Sequence, residues 1–484
     1  MSFDCNMKKG TVEILLSLLP VVVLIAMLSV VIRVFGSGAL NGGSQVSLLL
    51  AAGVCCAISI LYFHIPWTKL EEGVKKSVGS VTSAILILLM IGAISGVWIL
   101  SGVVPVLIHY GLMLIHPKFF LVTTCIICAI VSVLTGSSWS TIATIGIALL
   151  GIGQAQGFSS GLIAGAIISG AYFGDKMSPL SDTTVLASTM SEVPLFSHIR
   201  YMVYTVVPTM VISLLIFTII GFNYTVSDAT LIDTYQHSLE QHFNLSPWLL
   251  LVPLATIILI AKRLPAVIVL FLSSLLGAIF ALLFQPHILA EVAGTSDVSA
   301  YSQFAGVMQG MYDETAIDMG HPQVSELVAT RGMKGMLNTI YLILCAMCFG
   351  GVMTSSGMLQ RITSLILPFT RSRGSLVAST VSTGFFMNCM VADQYLSIIL
   401  TSNMYKDVFK HRGYENRLMS RSIEDSATVT SPLIPWSSCG MTQATILGVP
   451  TLTYLPYCFF NYLSPLMSIT VAIIGYKIYK RVKD

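Results

Sequence analysis

Charged residues are scarce in this chain of 484 residues. Only 10% of its residues are Asp, Glu, Lys or Arg, whereas soluble domains contain about 25%. Hydrophobic residues make up 55%, and the mean hydropathy is +0.84. The net charge of +3 is too small to indicate a nucleic-acid-binding protein. The composition therefore excludes an ordinary soluble domain and predicts an all-α protein that crosses the membrane many times.

The sequence also lacks the residue patterns of two other kinds of site, those built from cysteines and those of enzymes. The ten cysteines are scattered through apolar runs and do not form the pattern of a disulfide framework. Cys125 and Cys128 share a helix face, as do Cys345 and Cys348, but no histidine accompanies either pair. Small buried apolar residues are the better interpretation of both pairs. No nucleophile–base constellation stands out either, so the sequence predicts neither an enzyme nor a resident cofactor.

The chain is rich in long apolar runs. Eight runs of about 20 residues can cross a membrane: 12–34, 44–63, 81–101, 197–222, 247–261, 264–285, 336–356 and 455–477. Four other runs are interrupted by polar residues, glycine and proline: 117–154, 158–192, 372–410 and 414–447. Unwound backbone at membrane depth must be buried in protein or line a wet cavity. We therefore expect re-entrant hairpins at 117–154 and 372–410, and broken helices at 158–192 and 414–447.

The distribution of basic residues predicts the orientation of the chain, because Lys and Arg favour cytoplasmic loops. Lys69, Lys75 and Lys76 follow the second span, and Lys477 follows the last, whereas the loop 223–246 contains no Lys or Arg. One arrangement meets most of these preferences. It has both termini in the cytoplasm, ten crossings, and two hairpins that enter from opposite sides.

The two halves of the chain resemble each other in the order of their motifs. The matches are "GVWILSG" at 96–102 with "GVMTSSG" at 351–357, "TG" at 135–136 with 383–384, Asp175 with Asp425, and "VP" at 193–194 with 449–450. Each half has five crossings, and an odd number inverts the second copy. The sequence thus predicts two inverted-topology repeats, 1–235 and 236–484, each with one re-entrant hairpin and one broken helix. In such transporters, substrate and ion sites lie where the broken helices meet.

The acids within the interrupted runs are the first candidates for a site, since ionisable groups are costly inside a membrane. Asp175 and Asp425 lie at the breaks of their repeats and are the strongest candidate ligands for a cation or a proton. A structural ion pair is the alternative. Adjacent residues on a helix point apart, which disfavours a pair of Asp175 with Lys176, whereas i,i+4 spacing suits Asp425 with Arg421.

Three further acids are ambiguous. Asp182 belongs either to the site or to the N-cap of a half-helix that begins near Thr183. Asp393 lies in the second hairpin and has no acidic counterpart in the first. Glu424, beside Asp425, is either a second titrating group or part of a polar interface.

Neutral oxygen atoms would complete a sodium site, because Na⁺ takes several oxygen ligands of which few are charged. The candidates cluster at the interruptions, although Ser and Thr also pack between membrane helices; they are Ser137, Ser138, Thr141, Ser178, Ser181, Thr183, Asn388, Thr428, Thr430 and Ser431. Trp139, Tyr395 and Trp436 either wall a pocket or anchor helix ends at the membrane surface.

At these residues the sequence resembles the NhaC family of sodium/proton antiporters, within the wider ion-transporter superfamily. The matching motifs are "TGSSWSTIATIG", "AGAIISGAYFGDKMSPLSDTT", "ADQYLSI", "EDSATVTSPLIPW" and "GVPTLTYLPYCFFNYLSP". Val185 and Ser437 stand where members of the family often carry Asn. The resemblance implies exchange of Na⁺ for H⁺ in the inner membrane, with both ions as cargo.

Two alternatives remain open at this stage. The family also contains a malate/lactate exchanger and carriers suggested for amino acids, so a sodium- or proton-coupled exchanger of small organic solutes is possible on the same fold. An ion channel is the second alternative, but channels need a continuous pore, which two inverted broken helices disfavour. A homodimer is compatible with the sequence.

Overall fold

Helices account for most of the chain in the structure, a computed structural model that describes residues 2–35, 42–224, 229–262, 264–321, 324–325, 328–364 and 372–480. The helices of the first half are α1 (Ser2–Phe35), α2 (Gly43–Leu61), α3 (Trp67–Ser80), α4 (Thr82–Leu100), α5 (Val103–Leu114), α6 (Phe120–Thr135), α7 (Ser138–Ala155), α8 (Ser160–Met177), α9 (Asp182–Met190) and α10 (Leu195–Asn223).

The second half is also built from helices. They are α11 (Ala229–His242), α12 (Leu251–Ala261), α13 (Ala266–Phe284), α14 (Pro286–Val292), α15 (Ala300–Tyr312), α16 (Gly332–Ser355), α17 (Met358–Ser364), α18 (Arg373–Val391), α19 (Gln394–His411), α20 (Asn416–Ile423), α21 (Ser438–Leu447), α22 (Thr451–Tyr454) and α23 (Phe459–Ile474).

The lengths of the apolar helices confirm a multi-pass membrane protein. Among the described residues, nine helices are long and apolar enough to cross a membrane, or up to 11 if two bent pairs each form one span. The arms of the first predicted hairpin, Pro117–Thr135 and Ser138–Ala155, have 19 and 18 residues, which is the length of full spans. The sequence analysis missed α5, an apolar helix of 12 residues that is too short to cross a membrane alone.

All four predicted interruptions are present. The first lies between α6 and α7, and the second between α8 and α9, where Pro179 follows the end of α8 at Met177. The third separates α18 from α19. In the fourth, the five-residue π-turn Glu424–Thr428 follows α20, and Pro432 lies in a 3₁₀ turn before α21. Proline lacks the backbone N–H and cannot continue a helix, so both prolines mark the breaks as expected.

Small residues bring the two central helices of the first half together. A Cβ atom on Gly170 would lie 2.1 Å from the carbonyl oxygen of Cys125, and one on Gly174 would lie 2.3 Å from that of Ala129. Backbones approach this closely in membranes where small residues face each other. Because α6 packs closely on α8, the tip of the first hairpin lies against the break that follows α8.

The positions of the breaks correct the predicted alignment of the two halves. Gly136 and Ala392 both end a helix in the left-handed conformation and are 256 positions apart. Ser181 and Ser437 both cap the half-helix after a break, and they have the same separation. Gly384, which was matched with Gly136, lies instead in the interior of α18. That match is wrong, because repeated Gly and Thr letters fixed it without reference to the helix ends.

In the same alignment, in which equivalent residues are 256 positions apart, Asp175 and Asp425 are not equivalent. Asp175 precedes its half-helix cap, Ser181, by six positions, whereas Asp425 precedes Ser437 by twelve. The counterpart of Asp175 is therefore Ser431, so the predicted equivalence of the two acids is wrong. The constant separation at both break types nevertheless supports the proposal of two repeats.

Candidate functional site

The tip of the first hairpin presents a helix N-terminus to Asp175. α6 ends at Gly136, whose φ of 68° reverses the chain, and Ser137 then caps α7 by accepting a hydrogen bond from the N–H of Ser140 at 3.2 Å. The Oδ2 atom of Asp175 accepts hydrogen bonds from the backbone N–H of Ser138 at 3.1 Å and from its hydroxyl at 2.8 Å. Because helix N-termini favour negative charge, the hairpin tip stabilises this carboxylate.

Two other predicted ligands at the first break hold the backbone in place. The hydroxyl of Thr141 donates to the carbonyl of Ser137 at 2.9 Å and lies 3.2 Å from the hydroxyl of Thr135. Ser178 donates to the carbonyl of Val133 at 2.7 Å. Both hydroxyl groups therefore donate hydrogen bonds to backbone carbonyls of the hairpin, which is a structural role.

The N-cap of α9 is Ser181. One of the two alternatives predicted for Asp182 was that it caps this helix, and that alternative is wrong. Ser181 Oγ accepts a hydrogen bond from the N–H of Thr184 at 3.4 Å and lies 3.0 Å from Thr183 Oγ1. Asp182 is the first residue of the helix, and its side chain is exposed. Local sequence could not separate these positions, because Ser and Asp are about equally good caps.

The tip of the second hairpin repeats this geometry with an acid as the cap. Ala392 has a φ of 58°, and Asp393 Oδ1 accepts a hydrogen bond from the N–H of Leu396 at 3.0 Å. Its Oδ2 accepts one from Ser438 Oγ at 3.3 Å. Asp393 thus has a structural counterpart in the first hairpin, the cap Ser137, although that counterpart is not an acid.

The remaining predicted ligands join the second hairpin to the fourth break. Asn388 Nδ2 donates to the carbonyl of Ala427 at 2.6 Å and to Thr430 Oγ1 at 3.0 Å. Ser431 Oγ donates to the carbonyl of Thr428 at 2.7 Å and lies 3.3 Å from Gln394 Oε1.

The two halves differ at equivalent positions beside their hairpin tips. With equivalent residues 256 positions apart, Asp175 corresponds to Ser431, and Ser138 corresponds to Gln394. A neutral pair in the second half therefore stands where the first half has a carboxylate and its donor.

A cavity of about 590 Å³ brings three of the five candidate acids together. Asp175, Asp182 and Asp393 line it. The predicted hydroxyls Ser137, Ser181 and Thr183 lie on its wall with Ser140 and Thr144, which the sequence analysis missed. Trp139 and Tyr395 also line this cavity, as one interpretation had it. Trp436 does not, and its indole N–H instead donates to the carbonyl of Cys389 at 2.8 Å.

Asp425 lies outside this cavity, in a separate buried cluster. It forms an ion pair with Lys176, and its Oδ2 lies 3.9 Å from Nε of Arg421. The predicted i,i+4 pair with Arg421 is therefore present, but Lys176 is the partner in hydrogen-bonding contact. Sequence alone gave no signal for this pair, since 249 positions separate the two residues.

The side-chain groups on the cavity wall that can bind a cation are mostly carboxylate and hydroxyl oxygen atoms. No cluster of three or more His, Cys, Asp or Glu side chains suited to a metal ion occurs among the described residues. The hydroxyl of Ser138 donates to Asp175, and the hydroxyls of Ser137, Ser140 and Ser181 line the same cavity.

Comparisons with known proteins identify the family of this chain. The model of the Na⁺/H⁺ antiporter family matches residues 5–171 and 170–476. The Na⁺/H⁺ antiporter NhaC of Bacillus subtilis is 33% identical over 88% of this chain and 91% of its own length. The malate-2H⁺/Na⁺-lactate antiporter of the same organism is 38% identical over 82% of both chains. NhaC of Alkalihalophilus pseudofirmus is 37% identical over 87% of this chain and 89% of its own. The chain belongs to the Na⁺/H⁺ antiporter family.

Proposed function

We propose that this protein exchanges Na⁺ for H⁺ by alternating access, and that Asp175 carries the exchanged ion. The observation that carries the proposal is the position of Asp175. Its carboxylate is buried at 6% exposure, lines the 590 Å³ cavity, and meets the N-terminus of α7. A carboxylate there can hold a proton or a cation but not both with full affinity, and this competition is sufficient for exchange.

A second cavity supports alternating access. It has a volume of about 530 Å³ and is lined by Ser95 and Ile99 of α4, whereas the first cavity contacts the opposite end of α4 at Ser83–Ile87. α7 follows the same pattern, with Ser140 in the first cavity and Leu150 in the second. The π-turn of α7, Ile142–Gly146, follows Ser140 and contributes Thr144 to the wall of the first cavity. Such turns interrupt the regular helical ladder and often mark functional sites.

The basic residues support an orientation in which the first cavity faces the cytoplasm. The cavity reaches Ser80 at the end of α3, the helix that carries Lys69, Lys75 and Lys76, and it also reaches the α12–α13 connection at Leu264. Because Lys and Arg accumulate on the cytoplasmic side, we place this end of the molecule and both termini in the cytoplasm of a cell whose inner membrane holds the protein.

A small organic solute is the second candidate cargo, and the size of the cavity favours it. A volume of about 590 Å³ falls within the range of small-molecule sites, about 300–1,000 Å³. Trp139 and Tyr395 supply apolar surface beside the carboxylates. One relative is named as a malate-2H⁺/Na⁺-lactate antiporter. We therefore retain exchange of small organic acids or amino acids, coupled to Na⁺ or H⁺, as the alternative.

Purified protein in liposomes with an internal pH dye distinguishes the two. If Na⁺ is the cargo, a Na⁺ gradient alone moves protons, and malate, lactate or amino acids leave the rate unchanged. If a solute is required, Na⁺ alone gives no signal until that solute is added. Proton movement with Na⁺ alone that equals the signal of protein-free liposomes would contradict the proposed exchange.

A further inference from the structure

The carboxylate of Asp425 contacts two hydroxyl groups and the ammonium group of Lys176, and the guanidinium group of Arg421 lies beside it. Its Oδ1 accepts hydrogen bonds from Thr205 Oγ1 and Ser464 Oγ, both at 3.3 Å, and also contacts Nζ of Lys176. Lys176 Nζ donates in addition to Ser464 Oγ at 3.2 Å. All four side chains have 0% exposure. One positive charge therefore lies against a carboxylate and a hydroxyl with no access to solvent.

Four separate elements build this cluster. Thr205 comes from α10, Asp425 from the π-turn after α20, and Ser464 from α23, whereas Lys176 lies in the last turn of α8. In transporters, cations bind where helices are interrupted, and π-turns such as the one that carries Asp425 often mark functional sites. Three elements thus supply the ligands, and the fourth supplies the cation.

We infer that Lys176 is a tethered cation, whose ammonium group fills a second monovalent-cation site formed by Asp425, Thr205 and Ser464. Na⁺ does not enter this site in the native chain because the ammonium group occupies it. Removing the ammonium group while leaving space converts the cluster into a site for Na⁺.

The charges around the site favour this conversion. Arg421 lies 3.9 Å from Asp425 Oδ2, and Glu424 is fully buried next to Asp425 in sequence. Without Lys176, the carboxylate of Asp425 keeps only the guanidinium group of Arg421, which lies beyond hydrogen-bonding distance. Buried carboxylates that lose a partner attract a replacement cation, since an uncompensated buried charge is strongly unfavourable.

The inference goes beyond the proposed exchange, because it concerns Asp425 and leaves the cavity at Asp175 unchanged. Its test is the number of ²²Na⁺ ions bound per chain in detergent, measured for Lys176→Ser and for Lys176→Met. Serine opens the space and adds an oxygen atom, whereas methionine removes the charge but keeps most of the volume. We expect Lys176→Ser to bind one more Na⁺ than Lys176→Met and the native chain. The extra ion should be lost in Lys176→Ser/Asp425→Asn.

Equal Na⁺ binding by Lys176→Ser and Lys176→Met would overturn the inference. This comparison is independent of the proposed function, because both variants retain Asp175. If Lys176→Ser does not fold in choline buffer, the inference requires that Na⁺ restores a monodisperse protein. Failure in Na⁺ as well, while the doubly neutral Lys176→Ser/Asp425→Asn folds, would show that Na⁺ cannot replace the ammonium group and would also overturn it.

Discussion

Asp175 is the residue whose chemistry decides the proposed exchange. Asp175→Asn keeps the size of the side chain and its contact with Ser138 but removes the charge. We expect it to abolish Na⁺-driven proton movement in liposomes while the protein remains folded in detergent. Asp182→Asn is the matched control, because Asp182 lines the same cavity but is exposed at the start of α9. We expect it to weaken the apparent Na⁺ affinity only a few fold. Native exchange in Asp175→Asn would refute the assignment of the carrier.

Competition at one carboxylate also makes a prediction about pH. As the pH falls, protons occupy Asp175 more often and exclude Na⁺, so the apparent Na⁺ affinity should decrease. The decrease is at most about tenfold per pH unit for each proton displaced. The measurement is ²²Na⁺ binding between pH 6 and 9, and an affinity independent of pH would mean that Na⁺ and H⁺ use different groups.

Asp393 has two roles that substitution can separate. As the N-cap of α19 it stabilises the helix, and as an acid on the cavity wall it contributes negative charge. Asp393→Ser keeps a cap, as Ser137 does in the first hairpin, whereas Asp393→Ala removes it at a cost of about 1 kcal/mol. We expect a lower Tm for the alanine variant alone and a weaker Na⁺ affinity for both. Native affinity in Asp393→Ser would leave capping as the only role.

At the scale of elements, the helix breaks are the features that position the site. Each hairpin reverses through a single residue in the left-handed conformation, Gly136 or Ala392, and the next residue caps the following helix. Helix ends leave backbone N–H groups free of intrahelical partners. Both tips therefore bring N–H donors to the centre of the protein, where the surrounding apolar helices offer none.

Gly136 tests the importance of the first tip. A Cβ atom there would lie 2.7 Å from the backbone of Leu180, and a φ of 68° is unfavourable for any residue with a side chain. Gly413→Ala is the control, because Gly413 has a φ of 71° but nothing within 4 Å of a Cβ. We expect Gly413→Ala to lose about 1 kcal/mol of stability and to keep transport. Gly136→Ala should lose more in thermal unfolding and transport poorly, and equal behaviour of the two would show that contact with Leu180 is unimportant.

At the scale of the whole molecule, the proposed topology places the two cavities on opposite sides of the membrane. Ser83 lines the first cavity and Ser160 the second. In a chain without its native cysteines, we expect a membrane-impermeant maleimide to label Ser83→Cys from the cytoplasmic side and Ser160→Cys from the opposite side. Inverted and right-side-out vesicles provide the comparison. Labelling of both variants from one side would contradict the proposed topology.

The class of the protein and the positions of its four helix breaks were predictable from the amino-acid sequence alone. Hydropathy, proline and polar interruptions act locally, so Pro179 and Pro432 could be placed at breaks without knowledge of any distant contact. The acids inside apolar runs were found in the same way. Asp175 was chosen as a candidate ligand because an ionisable group is costly inside a membrane, and the structure shows it buried beside a hairpin tip.

Which of these acids lie together could not be predicted without the three-dimensional structure. Asp175, Asp182 and Asp393 meet in one cavity, whereas Asp425 pairs with Lys176 in another place. The repeat in the sequence suggested that Asp175 and Asp425 were equivalent, but the helix caps show that they occupy different positions relative to their breaks. The rotation and packing of whole helices determine where a side chain points. Contacts between residues 249 positions apart therefore leave no pattern in one sequence.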